Sequence, residues 1–184
     1  MLDYKNYRWF FTSSGNIAVG GKSAEQNEEL VKKFIKKKNM IMHTVAPGSP
    51  FCILLGDPSE NDIEETAIFC ASFSHQWKQG KKQSEVHIFS GQDVFKDRTM
   101  KSGTFAVKKY KTKKVNLELY LTIQENKLRA VPFKPQDFFC RLVQGKLSKD
   151  DAVKKISEIL KSKNLNTPIQ DIEQAIPSDR IDIK

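Results

Sequence analysis

The sequence has no apolar run approaching the eighteen or so residues that a membrane-spanning helix needs. Its first residues, MLDYKNYRWFF, also lack the charged, apolar and small-residue order of a secretory signal. A cytoplasmic location with no membrane partner is the expectation. Cysteine is scarce: the three present, Cys52, Cys70 and Cys140, are odd in number, far apart and set among apolar neighbours. That excludes a disulfide framework and reads as small core residues. Neither the cysteines nor the three histidines fall at metal-ligand spacing, so no metal and no cofactor is expected. Nucleophile elbow, P-loop, HExxH and paired-carboxylate patterns are missing too, and nothing points to an enzyme. No internal repeat or low-complexity tract interrupts the chain.

What is present is an ordinary globular composition, 39% hydrophobic and 29% charged over 184 residues, enough for one well-packed domain and a small appendage. The formal charge is +9. Through Pro135 there are 22 Lys+Arg against 14 Asp+Glu, and beyond it 9 against 8, so the excess belongs to the first part of the chain. A polyanion partner follows, because each cation that neutralises a phosphate releases counterions and gains affinity without any base contact. The bland alternative is a surface solubilised by lysine.

Tyr7 to Phe34 reads as a hairpin followed by a capped helix. The runs Arg8 to Thr12 and Ile17 to Val19 flank Ser13-Ser14-Gly15-Asn16, where Gly and Asn take positive φ at little cost. Ser23 with Gln26 three residues on is a capping box, and Leu30, Val31, Phe34 and Ile35 form the buried stripe of the helix. Met40 to Val45 and Phe51 to Leu55 make a second hairpin, with Pro47-Gly48 fitting a type II turn. Ser59 and Asp62 cap a second helix whose apolar face runs from Ile63 to Trp77. Glu85 to Ser90 is a short strand.

Thr104 to Lys108 and Val115 to Ile123 are expected as a last hairpin. Val115, Leu117, Leu119, Leu121 and Ile123 alternate with polar residues, so one face is buried. Its turn would be KKYKTKK. Beyond Pro135 the pattern turns helical: Asp137 to Val143, Ser148 to Leu160, and Pro168 to Ile176. The fold class is therefore α+β, a largely antiparallel sheet of hairpins with two main helices on one face and a short C-terminal helical extension. The division is residues 1–133 for the main domain and 134–184 for the extension. The extension either packs on the sheet or docks a protein partner through an exposed apolar face.

The basic turn is the first candidate site. Lys108, Lys109, Lys111, Lys113 and Lys114 flank Tyr110, so cations can grip phosphates while the ring stacks on an unpaired base. Lysines that keep a solvated edge from aggregating are the alternative. His43, Gly48 and Ser49 form the second candidate, a turn whose N–H groups and hydroxyl would suit an anion; the alternative is a histidine that caps a strand. Asn27 and Glu28 are not explained by helix propensity, since Asn gains little in a helix interior. Arg8 adds a cation beside Trp9, itself read as core. His75 and His87 are read as structural.

Several stretches resemble one family closely. FTSSGN at Phe11 to Asn16, VGGK at Val19 to Lys22 and AEQNEELV at Ala24 to Val31 resemble the signature of the NFACT-R domain, the RNA-binding module of the NFACT proteins of ribosome-associated quality control. HTVAPGSPF at His43 to Phe51 and KSGTFAVKK at Lys101 to Lys109 are similar to two further family segments. The resemblance covers about Tyr7 to Phe133. It implies an RNA-binding module for tRNA or large-subunit ribosomal RNA, linked to ribosome-associated quality control or translation, with the large ribosomal subunit as a partner. It adds Ser13, Ser14, Lys22 and Asn27, which lie in the signature, to the candidate RNA contacts.

Asn39, Met40, Ile41 and Met42 stand where relatives usually place an acidic residue and bulky aromatics. This fits either a divergent branch, of archaeal stand-alone type, or a local pocket that has lost part of its chemistry. Some eukaryotic stand-alone relatives are tied to DNA, so RNA against DNA stays open. The alternative function is an RNA-modifying or RNA-processing enzyme, or its RNA-delivery subunit, centred on His43 to Ser49.

Overall fold

Arg8–Phe11 (β1) and Ile17–Gly20 (β2) pair antiparallel with Trp9 opposite Val19, and the turn closes as Thr12 N–H donates to Asn16 O at 2.8 Å. Gly15 alone supplies the positive φ there, at +90°. The computed structural model describes residues 2–184. Ala24–Lys32 (α1) follows, its first turn capped by Ser23, whose Oγ accepts from Gln26 N–H at 3.2 Å. Met40–Thr44 (β3) and Cys52–Leu55 (β4) form the second hairpin, and Gly48 takes φ +92° in its turn, as a type II turn requires.

Ser59 and Asp62 close a reciprocal capping box on Glu60–Ser72 (α2). The helix does not run on to Trp77 as its apolar spacing suggests. It breaks at Phe73, where Ser74 donates its hydroxyl to Ala71 O at 2.6 Å and caps the short His75–Lys78 (α3); Trp77 is buried nonetheless. Gln83–Ser90 (β5), Val94–Phe95 (β6), Ala106–Val107 (β7) and Lys111–Asn116 (β8) come next. The last part of the chain holds Glu118–Gln124 (β9), Lys127–Val131 (β10), Cys140–Leu147 (β11), Lys149–Ser162 (α4), Ile169–Ala175 (α5) and Ile181–Ile183 (β12).

The strands form a six-stranded sheet in the order β1-β2-β4-β3-β5-β8, a four-stranded sheet in the order β10-β9-β11-β12, and the small pair β6-β7, with every pairing antiparallel. The α+β class holds. The two main helices, however, take opposite faces of the large sheet. Phe10, Ala18, Met42, Cys52 and Leu54 share the core that α2 covers, whereas Trp9, Val19, Ile41, Ile53 and Phe89 pack with Leu30, Val31 and Phe34 of α1 and the turn after it. Consecutive residues such as Cys52, Ile53 and Leu54 are all buried, and a strand that is apolar on both faces needs cover on both. Truncating one of them, Leu54 for example, is expected to cost about 2–5 kcal/mol.

Two further expectations are corrected. KKYKTKK is not a hairpin tip: β7 pairs with β6, and Lys111, Lys113 and Lys114 lie in β8, the edge strand paired with β5. The alternating run Val115 to Ile123 is interrupted at Leu117, whose N–H donates to Lys82 O at 2.9 Å, and passes from one sheet into the other. Asp137 to Val143 does not form a helix. Its second half enters β11, with Cys140 opposite Leu121 and Leu142 opposite Leu119, because β9 otherwise has no partner on that side.

The extension therefore adds two strands as well as its two helices. Ala152, Val153, Ile156 and Leu160 of α4 and Ile172 of α5 are buried in the same core as Leu119, Leu121 and Leu142. Of the two alternatives for the extension, packing on the sheet is the one found: its apolar stripe lies inside the molecule. Gln124 ties the two sheets together, accepting from Phe11 N–H and donating to Phe11 O, each at 2.8 Å.

Candidate nucleic-acid interface

The start of α1, the β3–β4 turn and the 102–105 loop enclose an open cavity of about 610 Å³. Six of the sequence candidates meet in its lining: Arg8, Lys22, Asn27, His43, Gly48 and Ser49. All three histidines of the chain line it as well, together with Phe51, Phe105 and Phe73. No carboxylate does, among the described residues.

Two neighbouring residues of α1 fix the walls. Asn27 Oδ1 accepts from Phe51 N–H at 3.0 Å, holding the strand that follows the turn. Gly21 lies against that amide so closely that a Cβ would sit 2.2 Å from Oδ1. Glu28 holds the other wall: its carboxylate accepts from Gly103 N–H at 2.8 Å and from Lys96 Nζ at 2.6 Å, and pairs with Lys32 at 2.8 Å. Burial pushes the Glu28 carboxyl up, but the Lys32 and Lys96 ammonium groups and the Gly103 N–H outweigh it and bring the pKa to about 2. The polar pair that helix propensity leaves unexplained is a brace between loops.

His43 sits at the floor. Its Nδ1–H donates to Thr44 O at 2.7 Å, the tautomer a carbonyl partner requires, which leaves Nε2 unprotonated in the neutral ring. The ring lies against Phe51, centroids 4.4 Å apart at 34°. Burial lowers its pKa, the backbone bond opposes this, and His87, its cross-strand partner, lowers it further. Ser49 Oγ accepts from Thr44 N–H at 3.0 Å, and Gly48 lies flat on His75, where a Cβ would come within 2.3 Å of Nδ1. The hydroxyl of the turn is thus committed to its own backbone.

Other candidates lie elsewhere. Ser13 N–H and Oγ both donate to Glu65, and Ser14 Oγ donates to Asp62 at 2.6 Å, so the signature serines fasten the first turn to α2. Lys109, Tyr110, Lys111 and Lys113 border a separate open cleft of about 700 Å³ with Met40 and Ile63. Lys113 is paired with Glu64 at 2.7 Å, and Lys108 lies 5.8 Å from the Phe95 ring. Lys114 stands opposite Glu85 on the edge strand. Tyr110, 54% exposed, stacks on His87 at 4.0 Å and so joins this cleft to the first cavity.

Sequence reasoning did not bring His75, His87 or Phe105 to this cavity, nor Arg129 to the narrow cleft beside it. The signal for Arg129 is faint but real: it is one of only five arginines among 31 basic residues, and it interrupts the apolar run of β10. Trp9 is core as expected, 2% exposed.

Against known proteins, a family model described as the NFACT protein RNA binding domain matches residues 6–109. The archaeal Rqc2 homolog aRqcH of Methanocaldococcus jannaschii is 27% identical over 191 aligned residues, covering 95% of this chain and 28% of that protein. The ribosome quality control complex subunit NEMF homolog of Drosophila melanogaster is 25% identical over 79 residues, 40% of this chain and 8% of that protein. The chain thus spans less than a third of these relatives. In fold it is similar to the solved C-terminal part of the fibronectin/fibrinogen-binding protein of Streptococcus suis, with TM-score 0.55 and 23% identity over 60% of this chain and 45% of that one.

Proposed function

Because the chain belongs to the NFACT protein RNA binding domain family, we propose that it is a non-catalytic RNA-binding module of ribosome quality control, acting in the cytoplasm on tRNA or large-subunit ribosomal RNA. One observation carries this reading: a single open cavity is lined both by the cations Arg8 and Lys22 and by the rings of His43, His87 and Phe105, with no carboxylate in its lining among the described residues. Cations grip phosphates, and ring faces accept unpaired bases whatever their sequence. The quality-control role is carried over from the NEMF homolog of Drosophila melanogaster, whose name places it in that process. No helix among the described residues is long and apolar enough to cross a membrane.

Binding is favoured over catalysis because no hydrogen bond joins His43 to Ser49 among the described residues. Ser49 Oγ accepts from Thr44 N–H and His43 Nδ1 donates to Thr44 O, so the two are not paired as nucleophile and base. The test is the affinity for bulk tRNA across a salt series, with intact protein and with Arg8→Gln, His43→Ala and Lys109→Gln/Lys111→Gln variants. Binding with a steep salt dependence that Arg8→Gln and His43→Ala both weaken supports the reading. A weak interaction that ignores these two changes rejects it. Loss on Lys109→Gln/Lys111→Gln alone moves the interface to the edge strand.

A further inference from the structure

The seam between the two large sheets gathers cations that form no salt bridge among the described residues. Gln124 clamps β1 to the second sheet, and Arg8 of β1 and Arg129 of β10 line one narrow cleft there together with Lys22. Arg129 lies over Trp9, with its guanidinium carbon 3.9 Å from the ring centroid. Its Nη1 donates to Leu128 O at 2.7 Å, while Nε is buried without an acceptor. Arg8 lies over Phe73 at 5.1 Å, and its Nε is likewise buried without an acceptor.

Among the described residues, none of Arg8, Lys22 and Arg129 has a carboxylate within 4.0 Å, and no carboxylate lines the cleft. Burial lowers the pKa of both arginines, with Asp171 opposing it in part at Arg129, and partial burial together with Arg8 and Arg129 lowers that of Lys22. Like charges brought together at a partly dry seam repel, and buried donors left unpaired are costly. An anion in the cleft offsets the first of these costs. The space is about 40 Å³, on the scale of a water or two, so it admits one edge of a phosphoryl group and not a base or a ribose.

We propose that this cleft is a subsite for a single phosphoryl group, opening through Arg8 and Lys22 into the larger cavity. The planar guanidinium of Arg129, held by Trp9, presents donors in the fork that matches phosphate oxygens. The identity of the carrier as RNA rests on the reading above; the anion site itself does not.

The experiment uses the intact chain, Arg129→Gln, Arg129→Lys and Lys22→Gln. The probes are inorganic phosphate and a single-stranded RNA octamer bearing a 5′-phosphate or a 5′-hydroxyl. Arg129→Gln is expected to weaken octamer binding about tenfold and to lower the salt slope by about one. Phosphate should compete with the octamer on the intact protein far better than on this variant. Arg129→Lys, which keeps the charge and loses the fork, should fall between the two. A preference for the 5′-phosphate that disappears in Arg129→Gln identifies a terminal phosphate as the occupant; equal loss for both octamers identifies a backbone phosphate.

If the variant binds both octamers as the intact chain does, or phosphate fails to compete, the subsite is overturned while RNA binding stands. If no RNA binds but phosphate raises the melting temperature of the intact protein and not of Arg129→Gln, the RNA reading falls and the subsite stands. Should Arg129→Gln not fold, the exposed Lys22→Gln and the conservative Arg129→Lys carry the same comparison. Unchanged affinity in both then overturns the proposal.

Discussion

Phe51 N–H donates to Asn27 Oδ1 at 3.0 Å, so a helix side chain holds the backbone that leads into β4 and fixes one wall of the cavity. Phe51 is buried, and its N–H has no solvent to turn to if the amide is removed. Asn27→Ala should therefore cost about 1–3 kcal/mol. Gly21→Ala should cost at least as much, because its Cβ would displace the same amide and also meet the Asn27 backbone N at 2.8 Å. Because both act on one contact, the double variant should lose less than the sum of the two. Urea midpoints at constant slope check the energies. RNA titrations should show both single variants weakened through the displaced wall, and normal affinity in either would separate this hydrogen bond from the binding site.

Glu28 makes the opposite wall dependent on pH. Its folded pKa, about 2, lies below the ordinary carboxylate value near 4.3, so the folded state binds its proton less readily than the unfolded chain does. Its contribution is therefore complete above about pH 4.5 and is lost as pH falls toward 2. Asp62, also held well below its usual range, adds a loss of the same sign: burial raises it, but Ser14, Thr12 and Ser59 hydrogen bonds outweigh the burial. Glu28→Gln should lower stability at pH 7 by about 1–3 kcal/mol and by much less near pH 3. Unfolding curves at the two pH values decide this, and an equal gap at both would show that the carboxylate charge is not what holds Gly103 and Lys96.

The serines of the first turn should behave differently from the cavity residues, although all lie in the same signature. Ser13 and Ser14 donate to Glu65 and Asp62 on α2, away from the cavity. Ser14→Ala is expected to cost about 1 kcal/mol of stability and to leave RNA affinity within twofold of the intact protein. A tenfold loss of affinity with stability intact would place the turn in the interface instead.

Local chemistry made much of this readable. The Ser23 and Ser59 caps, the Pro47-Gly48 turn and the first two hairpins follow from rules that span a few residues, and the structure has them where the sequence puts them. Long-range pairing was not readable. Nothing local tells KKYKTKK that its lysines belong to an edge strand beside Glu85 and His87 instead of a turn. Nor does Asp137 to Val143 carry a sign that Leu119 and Leu121 need a neighbour. The cavity was half legible for the same reason: Arg8, Lys22, Asn27 and His43 stand in recognisable motifs, while His75, His87 and Arg129 gain their meaning only when α3, β5 and β10 arrive beside them.

That dependence on distant partners bears most heavily on residues 136–184. Sequence pattern divides the chain near residue 133, and a separable extension would leave RNA binding untouched when deleted. The packing argues the contrary. Leu142 stands opposite Leu119, Cys140 stands opposite Leu121, and Ile156 and Leu160 of α4 are fully buried in the core shared with β9 and β10. Deleting Gln136 to Lys184 uncovers Leu119, Leu121 and Leu128, and each fully buried leucine returned to water costs about 1.5–3 kcal/mol. Those three alone are comparable with the 5–15 kcal/mol that holds a typical domain together. The truncated chain should therefore lose cooperative thermal unfolding and RNA binding together. Calorimetry of the truncated and intact chains tests this: a sharp, reversible transition in the truncated chain with tRNA affinity intact would mean that the first sheet and its two helices fold alone, and that the second sheet is an addition to the binding module instead of part of its foundation.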